Sequence, residues 1–354
     1  MNTDFQRMMN EATRLMRSGS LGEATAAIQQ ALGGAAAGVT PAPAREDDVI
    51  DVEARVIAEP DTGPAARPDA APRAATGSFT AGHFKNECGA RDYKLFEPAR
   101  DGRALPLVVM LHGCTQDPDD FARGTHMNAL AREQGLLVLY PSQSQRANAQ
   151  RCWNWFKHNH QARGKGEPAI LAGMVRDIIA THDVDPARVY VAGLSAGGAM
   201  AAILGDAYPE LFAAVGVHSG LPTGSATDVQ TAFAAMSGGA RPAPRAPRHG
   251  VAPPTIVFHG DADTTVNVVN GERVMHAAGV FAAADVRRGA SAMGVAWSCR
   301  RYVDARGVDR AEEWIVHGAG HAWSGGDLAG SYTDPRGPDA SAEMLRFFLR
   351  HPKG

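Results

Sequence analysis

From about residue 105 onward, short apolar runs alternate with longer amphipathic ones. The apolar runs are rich in Val, Ile and Leu and are bounded by Gly, Pro or Asp. They predict strands over 107–112, 136–140, 188–193, 212–217, 254–259 and 312–317. The intervening stretches repeat their apolar positions at three and four. They predict helices over 118–133, 167–182, 196–206, 226–236, 267–281 and 338–350, with Asp117 and Asp119 suited to starting the first. Strands that are apolar on both faces, each followed by a helix, predict a parallel sheet covered on both sides. In such a sheet the working groups gather at the carboxyl ends of the strands.

The pattern differs before residue 80. Phe5, Met8, Met9, Ala12, Leu15 and Met16 recur at helical spacing, and Leu21, Ala24, Ala27, Ile28 and Leu32 do so again after Ser18-Gly19-Ser20. This predicts a helical hairpin over 1–33 that is too small to bury its own apolar face. Residues 34–79 are rich in Ala, Pro and Gly, carry the acidic patch Glu46-Asp47-Asp48, and show no period. They read as a disordered linker, which leaves 80–354 as one larger domain of alternating strands and helices. A Gly-, Pro- and Arg-rich stretch at 238–253 reads as a surface insertion.

Composition narrows the function. The chain has 354 residues, 44% hydrophobic, with a formal net charge of -3, so no nucleic-acid partner is implied. No apolar run is long enough to span a membrane. The first ten residues, Met1-Asn2-Thr3-Asp4-Phe5-Gln6-Arg7-Met8-Met9-Asn10, lack a basic start and an apolar export region, so a cytoplasmic location is expected. The four cysteines contain no C-x-x-C, and the His158-x-His160 pair has no third ligand at a useful spacing. No metal site is expected from these residues.

The chemistry is concentrated in a few turns. Gly193-Leu194-Ser195-Ala196-Gly197 lies between a predicted strand and a predicted helix. That context turns G-x-S-x-G into a nucleophile elbow with Ser195 at its tip. A serine needs a base and an orienting acid, and this fold supplies them downstream in the order acid, then histidine. His259-Gly260-Asp261-Ala262-Asp263 ends a predicted strand. Asp263, deeper in the turn, is the expected acid, with Asp261 its rival. His321 follows another strand in Gly318-Ala319-Gly320-His321-Ala322-Trp323 and is the expected base. His317 reads as the structural end of that strand, and His126, His182, His218 and His276 as surface or helix-face residues. The oxyanion needs two N–H donors. Ala196 opens the helix behind the elbow, and Cys114 lies in the turn His112-Gly113-Cys114-Thr115-Gln116 after an early strand.

Five stretches in order make a resemblance specific: Leu111-His112-Gly113-Cys114-Thr115-Gln116, Cys152-Trp153-Asn154-Trp155-Phe156, Gly193 to Met200, His259 to Asp263, and Gly320 to Gly326. Together they resemble the polyhydroxybutyrate depolymerase family of esterases, related to the feruloyl and acetylxylan esterases. The resemblance covers roughly 80 to 350. It implies an α/β-hydrolase fold and cofactor-free ester hydrolysis through an acyl-enzyme, with Ser195, Asp263 and His321 as triad and Cys114 and Ala196 as oxyanion donors. Exported relatives often carry bridges. Cys114 and Cys152 fall in loops near the expected rim, where they can pair, leaving Cys88 and Cys299 as a second couple. The alternative is four reduced thiols. Trp155 and Trp323 lie in the same loops and are candidates for packing against an acyl or alcohol group. The expected substrate is a short hydroxyacyl ester of the 3-hydroxybutyrate type. The alternatives are feruloyl or acetylxylan esters, or a non-catalytic binding protein. The hairpin at 1–33 is expected to serve self-association or adhesion to a polyester granule.

Overall fold

The computed structural model describes residues 77–100, 102–239, 252–278, 282–304 and 306–353. The expected hairpin at 1–33 and nearly all of the expected linker lie outside these residues, as do residues 240–251 of the 238–253 insertion. The described chain opens with two antiparallel strands, β1 (Ser78–Asn86) and β2 (Gly89–Glu97). It continues through β3 (Leu105–Leu111), helices α1 (Pro118–Thr125) and α2 (Met127–Gln134), β4 (Leu137–Pro141), α3 (Gly166–Thr181), β5 (Val184–Leu194) and α4 (Ala196–Ala207). Next come β6 (Ala214–His218), α5 (Val229–Met236), β7 (Thr255–Gly260), α6 (Val269–Ala277), β8 (Ala282–Ala290), β9 (Ala296–Val303) and β10 (Asp309–Val316). Two short strands, β11 (Trp323–Ser324) and β12 (Thr333–Asp334), precede the last helix, α7 (Ala340–Leu349).

Ten strands form one sheet in the order β1-β2-β4-β3-β5-β6-β7-β10-β9-β8. The middle six, β4 to β10 in that order, are all parallel to one another. The outer pairs are antiparallel hairpins.

The six expected strands are the six parallel ones, whose central residues are buried on both faces; β10 alone among them buries carboxylates, Glu312 and Glu313, beside its apolar Trp314, Ile315 and Val316. Leu107, Val109, Leu111, Val189 and Val191 point to one face, under Leu171, Met174, Val175 and Ile178 of α3 and Met200, Ile203 and Leu204 of α4. Val108, Met110, Tyr190 and Ala192 point to the other, under Phe121 of α1, Met127 and Ala131 of α2, and Met344, Phe347 and Phe348 of α7. Every one of these side chains is buried. Each large one contributes about 1.5–3 kcal/mol against exposure, which fixes the strand ends that carry the active groups.

The expected helix over 118–133 is two helices, broken at His126 in the left-handed region with φ 54°. Another segment crosses there. A Cβ on Gly124 would lie 2.9 Å from Thr333 Cγ2, and the Gly124 carbonyl accepts the Asp327 N–H at 2.9 Å. Among the described residues, no helix is long and apolar enough to cross a membrane.

Candidate active site

The elbow is a direct consequence of its glycines. A Cβ on Gly197 would lie 2.0 Å from the Leu111 carbonyl oxygen, and one on Gly193 2.4 Å from the Gly197 carbonyl carbon. Only two bare backbones allow α4 to start this close to the ends of β3 and β5. Between them Ser195 is held at φ 57°, ψ -117°. A side-chain-bearing residue held there stores about 1–3 kcal/mol of strain, which persists because the surroundings over-determine it. The Ser195 N–H donates to the His218 carbonyl at 2.9 Å, and the Ser195 carbonyl accepts from the Ala199 N–H at 2.9 Å. Ser195 is half-buried while Leu194 and Ala196 beside it are buried. The Ala196 N–H belongs to the first helical turn, where N–H groups have no intrahelical partner and the helix dipole favours negative charge.

The turn after β3 is clamped around the Cys114 N–H. Gly113 on one side donates its N–H to Gln116 Oε1 at 2.9 Å, and Thr115 on the other donates to the Gln150 carbonyl at 2.7 Å. Gln116 is tied in turn to Asp120 Oδ2 at 2.9 Å and to the Ser331 carbonyl at 3.0 Å. His112 is buried, and burial pushes its imidazole down to about 4. It is therefore neutral at physiological pH. Its Nε2 accepts the Gln143 N–H at 3.1 Å, so its Nδ1–H donates to the Gly113 carbonyl at 2.7 Å.

The two candidate acids separate cleanly. Asp263 Oδ2 accepts from His321 Nδ1 at 2.7 Å, and Asp263 Oδ1 accepts from the N–H groups of Thr265 and Val266 at 2.8 Å each. Burial works against the Asp263 charge, but hydrogen bonds from His259, His321 and Val266 outweigh it and hold the carboxyl well below the usual range. Asp261 is bound instead to His317, at 2.8 Å, near the surface. Of the two aspartates, Asp263 is the one bonded to His321, and Asp261 the one bonded to His317.

His218 is not marked as a site residue by the sequence. It is buried rather than on the surface, and it joins the elbow to the histidine loop. Its carbonyl accepts the Ser195 N–H, and its Nε2 accepts the Ser324 N–H at 3.0 Å, three residues after His321. Burial, then the neighbouring His259 and His321, hold its ring down at about 3, so it stays the neutral acceptor that this bond requires.

Glu167 is a second such residue. It is buried at the start of α3 and gathers the loop that carries Cys152 to Phe156. Its carboxylate accepts from Asn154 N and Asn154 Nδ2 at 2.7 Å each, from Gln143 Nε2 at 2.6 Å and from Arg91 Nη2 at 3.0 Å. Burial opposes its charge, but hydrogen bonds from His160, Gln143 and Asn154 hold it at about 2. No local motif marks such a residue.

Cys114 and Cys152 are joined, with Cα atoms 4.2 Å apart, whereas Cys88 is an exposed thiol and Cys299 a buried one. The second couple expected from the sequence is thus not formed: Cys88 lies in the β1–β2 turn and Cys299 inside β9. The bridge ties the turn after β3 to the loop held by Glu167. Its reduction is expected to lower kcat by about tenfold with little change in KM. That is the loss expected of a loosened oxyanion donor, against the 10²–10³ of a deleted one. Ester turnover before and after dithiothreitol checks this, and a Cys114→Ala/Cys152→Ala double variant should then be insensitive to the reductant.

The tryptophans are a correction. Trp323 is 1% exposed, donates its indole N–H to Ser341 Oγ at 3.0 Å, and packs edge-on against Phe121. Trp155 is 6% exposed and packs edge-on against Phe156. Both rings are spent on the core, where a large apolar ring gains most, and neither forms a wall for substrate. No cluster of three or more His, Cys, Asp or Glu side chains suited to a metal occurs among the described residues.

A family model described as "Esterase PHB depolymerase" matches residues 92–313. Poly(3-hydroxyalkanoate) depolymerase C of Paucimonas lemoignei is 32% identical over 226 residues, 61% of this chain and 54% of that protein. Feruloyl esterase B of Thermothelomyces thermophilus is 32% identical over 128 residues, 36% of this chain and 43% of that protein. Acetylxylan esterase A of Talaromyces purpureogenus is 31% identical over 196 residues, 49% of this chain and 50% of that protein. The chain thus spans about half the length, or less, of these relatives. Among solved structures, an acetyl xylan esterase from Aspergillus awamori aligns with a TM-score of 0.56 at 19% identity, covering 73% of this chain and 94% of that one. At that identity the likeness is one of fold, and it agrees with the sheet order above: this is an α/β-hydrolase fold.

Proposed function

The chain belongs to the PHB depolymerase family of esterases, and from that premise we propose that it is a serine carboxylesterase acting on short hydroxyacyl esters. The observation that carries the reading is the strained elbow at Ser195, φ 57°, sharing one sheet edge with a His321–Asp263 pair at 2.7 Å. In this reading His321 Nε2 takes the Ser195 hydroxyl proton while Ser195 Oγ attacks the ester carbonyl. The carbonyl π pair moves onto oxygen, and the N–H groups of Cys114 and Ala196 receive that charge. Collapse of the tetrahedral species breaks the bond to the alcohol oxygen, which leaves with the proton from His321. Water then repeats the path, and the acid is released. Asp263 holds the imidazole with its proton on Nδ1, so that Nε2 is free to act as base.

The acyl group is the finer part of the proposal. The relatives divide between a polyhydroxyalkanoate depolymerase and esterases named for feruloyl and acetylxylan esters. The polyester relative matches over the longest stretch of the three, which favours a hydroxyacyl substrate. Purified enzyme should release 3-hydroxybutyrate from its short oligomers with a kcat/KM at least tenfold above that for methyl ferulate or acetylated xylan. Equal or reversed rates would move the substrate to the polysaccharide esters and leave the esterase reading intact. No hydrolysis of p-nitrophenyl acetate or butyrate would remove that reading altogether.

A further inference from the structure

A second Ser–His–Asp chain runs beside the first. Ser298 Oγ lies 2.7 Å from His317 Nε2, and His317 Nδ1 lies 2.8 Å from Asp261 Oδ2. The two chains start from the same two segments. Asp261 stands two residues before Asp263 on the turn after β7, and His317 four residues before His321 on the loop after β10. The backbones of those segments are already zipped together. Asp261 N–H donates to the Val316 carbonyl at 3.2 Å and Ala262 N–H to the Ala319 carbonyl at 3.1 Å. Asp261 Oδ1 also accepts the Gly318 N–H at 2.7 Å. A Cβ on Gly260 would lie 2.2 Å from the Ala319 carbonyl oxygen, so the segments are in contact.

Ser298 is poorly placed to be a nucleophile. It sits within β9, paired with Ile315 of β10 on one side and Arg288 of β8 on the other. The backbone around it is committed to ladders on both edges, so it has no elbow and no convergent N–H pair to receive an oxyanion. A triad without those donors forfeits the largest electrostatic contribution to acyl transfer. The chain of bonds does have a mechanical consequence. His321 lies at the end of a glycine-flanked loop whose stem, at His317, is bonded forward to the acid turn and back to β9, where the His317 N–H also donates to the Ala296 carbonyl at 2.9 Å.

We propose that Ser298, His317 and Asp261 are positioning residues that set where His321 presents its imidazole, by locking the stem of its loop to the acid turn and to β9. The inference rests on the reading of Asp263 and His321 as the catalytic pair. A base displaced by about 1 Å costs up to 10²-fold in rate. A loosened stem still carries the Asp263–His321 bond, so a smaller loss is expected.

Threonine and valine have nearly the same shape and both favour a strand, so at position 298 they differ only in the hydroxyl. Ser298→Thr is expected to keep kcat on p-nitrophenyl butyrate within about twofold of wild type. Ser298→Val should lose about five- to tenfold in kcat, with KM within twofold and a Tm matching that of Ser298→Thr. Combining Ser298→Val with Asp261→Asn should cost little more than either alone, since both cut one chain. Equal kcat for Ser298→Thr and Ser298→Val, or a loss confined to KM, would overturn the proposal. A Ser195→Ala protein that still releases stoichiometric p-nitrophenol, and stops when Ser298→Val is added, would also overturn it by making Ser298 a nucleophile. Turnover that survives both substitutions would sink the Ser195 reading, and the positioning role with it. Full loss on Ser195→Ala alone keeps that reading, so the Thr–Val comparison then judges the positioning role by itself.

Discussion

Ser195→Ala is expected to reduce ester turnover by about 10⁴- to 10⁶-fold while leaving the fold unchanged. The substitution deletes one oxygen from a half-buried position and keeps the backbone that holds the elbow: the Ser195 N–H to the His218 carbonyl and the Ala199 N–H to the Ser195 carbonyl. The strain at φ 57° is borne by the main chain and its glycine neighbours, so alanine inherits it without relief. The group lost is the hydroxyl at the tip of the turn. Two assays check this together: steady-state hydrolysis of p-nitrophenyl butyrate, and labelling by a serine-directed phosphonate followed by peptide mass analysis. Wild type should carry the label on Ser195 and the variant should carry none. Activity above about a tenth of wild type in the variant would remove Ser195 from the reaction, since loss of a triad serine costs orders of magnitude more than that.

The parts legible in the sequence are those dictated by one local rule each. Strands such as Val189 to Leu194 are apolar on both faces, and only a doubly covered sheet accommodates that. The elbow is legible because two glycines flank Ser195 where neighbouring backbones leave no room for a Cβ. The outer hairpins are not legible. β1 alternates in a weak, mostly exposed pattern, and β8 is an Ala- and Arg-rich run, Ala-Ala-Ala-Asp-Val-Arg-Arg-Gly-Ala, whose composition favours a helix. Pairing with β9 overrides that local preference, as tertiary context does for propensity in general. His218 and Glu167 escape sequence reasoning for the same reason. Their value lies in partners far along the chain: Ser324 lies 106 residues from His218, and Arg91 lies 76 from Glu167. The tryptophans err the other way. Proximity in sequence to His321 suggests a substrate wall, whereas the gain from burying Trp323 beside Phe121 decides its place.

Asp263→Asn is expected to lower kcat by about 10³- to 10⁴-fold, and the surrounding donors dictate why. The Asp263 Oδ1 position receives two N–H groups, from Thr265 and Val266, each at 2.8 Å. In the variant the amide must turn its oxygen toward those two donors, because an NH₂ there would face N–H against N–H. The NH₂ then occupies the Oδ2 position, 2.7 Å from His321 Nδ1. Facing a donor, His321 is driven to the tautomer with its proton on Nε2, which cannot accept the Ser195 proton. The two Oδ1 bonds survive, so the fold should survive, and a Tm within a few degrees of wild type is expected alongside the lost rate. Asp263 stays ionised far into the acid range, because its bonds to His259, His321 and Val266 outweigh burial. With its folded value depressed, it contributes stability above the ordinary carboxylate range near pH 4, and that contribution is lost only as pH falls toward the folded value. Mild acidification should therefore not lower the rate through protonation of Asp263. Asp261→Asn tests the assignment from the other side. It weakens the bond to His317 but leaves the Asp263–His321 pair intact, and should cost no more than about tenfold, as expected of a residue that acts through another. Measuring kcat and KM for the two variants on the same ester decides between the aspartates. A larger loss at Asp261 than at Asp263 would exchange their roles.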